Sequence, residues 1–226
     1  MQYLLPLCIV IVILYLYMAK WRAANQRRKK LLAWAQSKGL QFNPARHSGS
    51  DYRFPSFSYL LRGGPESYAC NVITGSIAGR EFLGFDYQSD TPGTRAGHRF
   101  SAIILQSPIW LKPLLILPKK FLYKITEFTG FNDIHFESVE FNRKFHVKSP
   151  DKQWAYDVIH QRMMEFLLTS PVFTIQFNLT QIMASRNHTF SVSEYESAVG
   201  VIEGMLDRLP EYLLKQQQRT SFEDFV

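Results

Sequence analysis

Tyr68-Ala-Cys-Asn-Val-Ile-Thr-Gly-Ser-Ile-Ala-Gly-Arg-Glu-Phe-Leu-Gly-Phe-Asp-Tyr87 is the stretch from which the fold is read. Two runs rich in strand-forming residues, Tyr68–Thr74 and Arg80–Tyr87, flank Gly75-Ser-Ile-Ala-Gly79, which has a glycine at each end. Glycine reaches the left-handed conformations of a tight turn, so the stretch predicts two antiparallel strands joined by a hairpin loop. Downstream, a polar tip at Ser89–Gly97 leads to a third strand over Arg99–Gln106. Leu114–Leu117, between Pro113 and Pro118, reads as a short strand, and Ile134–Glu137 and Phe141–Val147 read as two more. Upstream, Asn43-Pro44, Ser48–Asp51, Phe54-Pro55 and Arg62–Pro65 mark a connector rich in turn formers.

A helix start follows the last of these strands. Ser149-Pro150-Asp151 combines a capping serine, a proline suited to the first helical position and an acid in the positive first turn. Trp154, Ala155, Val158, Ile159, Met163, Phe166 and Leu167 recur at helical spacing and predict one buried stripe. Val172–Arg186 reads as a hairpin. Ser193 and Glu196 form a capping-box pattern for a last helix lined by Ala198, Val199, Ile202, Met205, Leu206 and Leu209 and ended near Pro210. Strands gathered ahead of helices, without strand–helix alternation or repeats, predict an α+β fold with a mostly antiparallel sheet and two helices in its C-terminal half.

Ahead of this domain, Tyr3–Ala19 contains no charged residue, and its centre reads Cys8-Ile-Val-Ile-Val-Ile-Leu-Tyr-Leu-Tyr-Met18. As a helix it spans about 25 Å, enough to cross a bilayer core when Lys20 and Arg22 reach outward and Tyr15, Tyr17 and Trp21 form an aromatic belt. A cleaved signal peptide needs a basic start and a small-x-small site, and a lipoprotein needs a small residue where Leu7 precedes Cys8; neither pattern is present. The reading is a transmembrane helix over residues 1–19, a basic juxtamembrane helix over 20–39 continuing through Leu31, Leu32, Trp34 and Ala35 to Gly39, an α+β domain over 40–214 and a polar tail over 215–226. A chain starting near Leu31 is expected to be soluble and folded.

Charge sets the direction. The net charge of +7 suggests nucleic acid until it is mapped. Residues 1–30 hold six of the 26 basic residues (Lys20, Arg22, Arg27, Arg28, Lys29 and Lys30) and no acid, which leaves 20 basic against 19 acidic residues elsewhere. The domain is therefore nearly neutral, and no nucleic-acid partner is expected. Only Met1 and Gln2 precede the apolar run, so the positive-inside rule places the domain in the cytoplasm at the inner membrane, with the N-terminus outside. The six basic residues are the expected membrane-surface contacts, each worth on the order of 1 kcal/mol beside anionic lipid. Two glycosylation-type triplets, Asn178-Leu179-Thr180 and Asn187-His188-Thr189, point the other way, but such triplets arise often by chance and the flanking charge outweighs them. Cys8 and Cys70 lie far apart without a Cys-x-x-Cys partner, which excludes a zinc or redox motif and mildly favours a reducing compartment.

Catalytic signals are sparse. His47, His98, His135, His146, His160 and His188 show no zinc-ligand spacing to one another or to a cysteine. Asp133, His135 and Glu137 would share one face of a regular strand, either as an acid–base or metal cluster or as the wet face opposite Ile134 and Phe136. Gly75–Gly79 is not a nucleophile elbow, because its serine is one position early and it joins two strands. Phosphate-loop and dinucleotide patterns are lacking. No catalytic residue, metal or cofactor is assigned.

Two stretches carry a resemblance. One is Gly75-x-x-x-Gly79-Arg80-x-Phe82-x-x-Phe85-Asp86-Tyr87. The other runs from Phe136 to Leu168 and includes Phe141-Asn-Arg-Lys-Phe145-His-Val147, Asp151, Ala155 and Met163-Met-Glu-Phe-Leu167. Together they resemble an uncharacterised bacterial family of single-pass membrane-anchored proteins, in which a hydrophobic helix and a basic stretch precede a domain of unknown function. The resemblance implies a bacterial membrane setting and brings no activity or catalytic residue with it. The expected function is a membrane-tethered cytoplasmic interaction module that binds a protein partner, a second copy or the anionic membrane surface. The alternative is a membrane-bound enzyme whose site is assembled from residues distant in sequence.

Overall fold

Helix α1 (Leu4–Ser37) joins the apolar and basic stretches in one unbroken run of 34 residues. It stops at Gly39, whose left-handed backbone (φ 69°) suits glycine, and the Leu40 N–H closes onto the Ala35 carbonyl at 2.8 Å. There follow β1 (Gln41–Asn43), β2 (His47–Ser48), β3 (Tyr68–Ile77), β4 (Arg80–Ser89), β5 (His98–Pro118), β6 (Asn132–Ile134), α2 (Val139–Lys144), β7 (Phe145–Ser149), α3 (Lys152–Val158), α4 (Gln161–Thr169), β8 (Thr174–Arg186) and α5 (Val192–Leu206). Residues 211–215 add a helical turn. The structure is a computed structural model that describes residues 4–48, 67–89, 98–120 and 132–215. The connector turns beyond Ser48, most of the polar tip and the tail after Lys215 lie outside the described residues.

The class is α+β with an antiparallel sheet. Among the described residues eight strands follow the order β1-β3-β4-β5-β7-β6, with β2 on β3 and β8 on β5. The β3–β4 hairpin turns at Ala78-Gly79 and keeps register from Ile77↔Arg80 to Gly75↔Phe82 and beyond. The main core lies on one face of the sheet, where Phe82, Ile103, Leu105 and Phe177 meet Leu31, Trp34 and Ala35 of α1, Trp154 and Met163 of α3 and α4, and Tyr195 and Ile202 of α5. Ala69, Phe85, Tyr87, Ala102 and Met183 form a smaller cluster on the other face, as strand alternation requires.

Several sequence expectations are corrected. Arg99–Gln106 and Leu114–Leu117 belong to one 21-residue strand, β5, because Pro108 and Pro113 fall at the register shifts of its pairing with β8, where a missing N–H breaks no ladder bond. Val172–Arg186 is no hairpin: Thr174–Arg186 is a single strand, and its turn-like centre is a bulge with Leu179 at φ 53°. Phe141–Val147 divides into α2 and β7. Ser138 caps α2 by accepting from the Phe141 N–H at 3.2 Å, so Phe141 and Phe145 meet at helical spacing.

Asp151 caps α3 through the Trp154 N–H (3.0 Å), while Ser149 ends β7 and donates to the Pro113 carbonyl (2.7 Å). The helix expected to run through Leu167 breaks at Ile159–His160 into α3 and α4, so the described C-terminal half holds α2 to α5 and the helical turn at 211–215, and not two helices. The capping box of α5 is Ser191 with Glu194, two residues earlier than the pattern suggested. Among the described residues no helix is long and apolar enough to cross a membrane. Residues 1–3 and the side chains of 4–7, 9 and 10 lie outside that description, and the anchor remains a reading of the sequence.

Candidate functional site

The chemistry expected at Asp133, His135 and Glu137 does not assemble. β6 ends at Ile134, so the three residues share no strand face. Asp133 faces the neighbouring strand, with His146 Nε2 at 3.0 Å and Lys148 Nζ at 3.2 Å, and these partners hold its carboxyl below its usual range against the opposing effect of desolvation. His135 and Glu137 are exposed, and the His135 carbonyl accepts from the Tyr156 hydroxyl at 3.1 Å. Among the described residues no three His, Cys, Asp or Glu side chains converge on a metal position. The arrangement is that of a solvated sheet edge.

The polar groups that do converge lie where α1 meets the sheet. Residues of α1 at 27, 31, 34 and 35 fall on one side of the helix and turn toward β4 and α5. Leu31, Trp34 and Ala35 enter the core. Trp34 packs edge-on against Phe82 (6.2 Å between centroids) and at 5.5 Å from Tyr195, and its Nε1 donates to Glu196 at 3.1 Å. Glu196 thus ties α5 to α1 instead of capping its own helix. Gly84 of β4 makes this packing possible: a Cβ there would stand 2.8 Å from the Tyr195 ring and 3.0 Å from Phe82.

One turn and three residues before Trp34, Arg27 reaches inward. Its Nη1 and Nη2 donate to Asp86 Oδ2 and Oδ1 at 2.6 and 2.8 Å, and its Nε donates to the Phe190 carbonyl at 2.7 Å. The Asp86 side chain is 0% exposed and the Arg27 side chain 22%. Asp86 also accepts from Asn71 Nδ2 (2.8 Å) and from the Ser101 hydroxyl, which itself accepts from the Phe190 N–H at 2.8 Å. Asn71 sits at the β3 bulge with φ 50°, a conformation asparagine tolerates better than most residues. Burial disfavours the Arg27 charge, but the bonds and charge of Asp86 outweigh it, and the net shift favours the guanidinium. Burial drives the Tyr195 hydroxyl and the Cys70 thiol beside this group up in pKa, with Asp86 adding to both. Neither is poised as a nucleophile.

The six expected surface contacts therefore divide. Lys20, Arg22, Arg28, Lys29 and Lys30 are exposed, whereas Arg27 is corrected from a surface residue to the cation that locks α1 into the domain. Its role was hidden inside a basic run. The available signal was Asp86, an acid in an aromatic strand whose neighbours Phe85 and Tyr87 are core. A fully buried carboxylate needs a cation, and α1 supplies it.

No protein-family model and no curated protein matches the chain. Among solved structures, the crystal structure of the mycobacterial trehalose monomycolate transport factor A, TtfA, is similar, with a TM-score of 0.60 and 16% identity over 80% of this chain and 92% of that one. At that identity the likeness shows the fold alone.

Proposed function

We propose that the chain is a non-enzymatic, membrane-tethered interaction module that serves a membrane process from the cytoplasmic side. In this reading the first 19 residues cross the inner membrane, the basic helix over 20–39 leaves it, and the domain over 40–214 meets a protein partner or a second copy close to the leaflet. Lys20, Arg22, Arg28, Lys29 and Lys30 touch anionic lipid. The observation that carries the proposal is the continuity of α1: its apolar start and its core residues Leu31, Trp34 and Ala35 belong to one helix, pinned by a buried bidentate Arg27–Asp86 pair. A flexible tether would need none of this. Such a lock makes anchor and domain one body, with Arg27 eight residues, or about 12 Å, beyond Ala19. Service in membrane transport is favoured by the similar fold of a protein named as a transport factor.

Two measurements test this. After alkaline carbonate washing, the full chain should stay with the membrane pellet. A C-terminal alkaline phosphatase fusion, active only outside the cytoplasm, should be silent. Release by carbonate contradicts the anchor, and an active fusion contradicts the direction.

A further inference from the structure

The way α1 lies on the sheet determines which end of the domain faces the bilayer. Arg27 contacts Asp86, Trp34 contacts Phe82, and Leu40 packs on Gly75, the register partner of Phe82. Helix α1 therefore runs along β4 in the opposite sense, and its N-terminal part leaves past Gln88 and Ser89. From Asp86 to this end of β4 is about 7–10 Å at strand rise, which α1 covers in five to seven residues, as about 1.5 Å each, bringing it to Arg22 and Lys20. The end of the sheet beside Gln88 is thus level with the boundary of the apolar stretch.

That end carries a row of guanidinium groups. Arg99 pairs in register with Gln88, and its side chain is 49% exposed. Gln88 accepts from the Tyr68 hydroxyl at 3.0 Å, and exposed Arg46 lies over the Tyr68 ring at 4.6 Å. Exposed Arg28 follows Arg27 on α1, and the charges of Arg28 and Arg99 both act on the half-buried Cys70, the register partner of Asp86. Asp86, which lies near this end, is fully buried and already holds Arg27; Arg99 approaches it only to 3.9 Å. Planar guanidinium groups bind phosphate oxygens in pairs, which suits them to a layer of lipid phosphates.

We propose that Arg28, Arg46 and Arg99 form a collar around the exit of α1 that binds the phosphates of anionic lipid and seats the domain against the leaflet. This rests on the anchored reading above and adds to it two residues, Arg46 and Arg99, that lie outside the basic run. The test is native mass spectrometry of the full chain in detergent, titrated with phosphatidylglycerol, phosphatidylcholine or inorganic phosphate. Phosphatidylglycerol should bind in preference to phosphatidylcholine, and Arg46→Gln and Arg99→Gln should each weaken it about fivefold. Because Arg99 lies near the buried pair, thermal melts accompany both variants, and Arg46→Gln alone carries the expectation if Arg99→Gln unfolds the domain. Equal binding of the two lipids, indifference to Arg46→Gln, or displacement of the lipid by millimolar phosphate would each overturn the collar. So would loss of a co-purifying acidic protein with lipid binding unchanged. Carbonate extraction is read separately: a chain that is retained but shows no arginine-dependent lipid binding refutes the collar alone, whereas a released chain refutes the anchor.

Discussion

Asp86 is held by four side-chain hydrogen bonds from three residues and sees no water, so its charge is tolerable only while Arg27 stays in place. Removing one member of a buried pair leaves the other uncompensated, at a cost of about 3–5 kcal/mol. We expect Arg27→Ala to lower stability by that amount in thermal melts. Arg27→Lys should recover only part of it, because an ammonium cannot make the bidentate pair and reach the Phe190 carbonyl together. The neighbouring Arg28→Ala, on an exposed residue, should stay within about 0.5 kcal/mol. A second expectation concerns acid. Desolvation works against the Glu194 carboxylate, but the Ser191 N–H and hydroxyl, His188 and Arg186 prevail and hold its pKa at about 2. A carboxyl depressed in the folded state contributes stability that is complete above its unfolded pKa of 4.5 and is lost as pH falls toward 2. Glu194→Gln should therefore cost up to about 3 kcal/mol at neutral pH and flatten this part of the acid-unfolding curve. The role of Arg27 could not be read from local spacing, because Arg27 looks like the basic residues beside it. Ser191 and Glu194 do stand at capping-box spacing, but Arg186 reaches Glu194 from the end of a strand that the expected hairpin had disguised.

At the scale of elements, what was legible followed the reach of the signal. The β3–β4 hairpin and the end of α1 at Gly39 depend on neighbours in sequence, and both are present, with the expected Gly75–Gly79 loop shortened to Ala78-Gly79 because β3 continues in register to Ile77. Boundaries that depend on distant partners did not. The length of β5 is set by its pairing with β4, β7 and β8, which turns its internal prolines into bulges instead of ends. The break between α3 and α4 is tied down by His160, whose Nε2 lies 2.9 Å from the Arg208 carbonyl. The same contrast bears on where a folded chain can start. A chain beginning at Leu31 keeps Trp34 but loses Arg27, leaving Asp86 buried without its cation. We expect that chain to be about 3–5 kcal/mol less stable in urea titration than one beginning at Trp21, which retains the pair. Equal midpoints and slopes would show that the pair adds nothing to the fold. Trp154, buried on α3 under the sheet, should cost about 3–5 kcal/mol when replaced by Ala, whereas His135→Ala should be nearly silent.

For the whole molecule, one helix that is both anchor and core element would make the position of the domain a property of the fold. The near-neutral domain, the basic run and the arginines near Gln88 all fit a body seated at a fixed height below the leaflet. None of this names the partner, because a binding surface carries no spacing rule comparable to a metal or nucleotide motif. Rigidity between anchor and domain is the claim on which the rest depends. It is measured most directly by spin labels at Ala24→Cys on α1 and Ser76→Cys at the far end of β3, in the full chain with Cys8 and Cys70 replaced by Ser, reconstituted in phosphatidylglycerol-containing nanodiscs. We expect a single narrow distance distribution that broadens when Asp86→Asn is added. A broad distribution in the chain with Asp86 intact would contradict the lock and return α1 to the status of a loose tether.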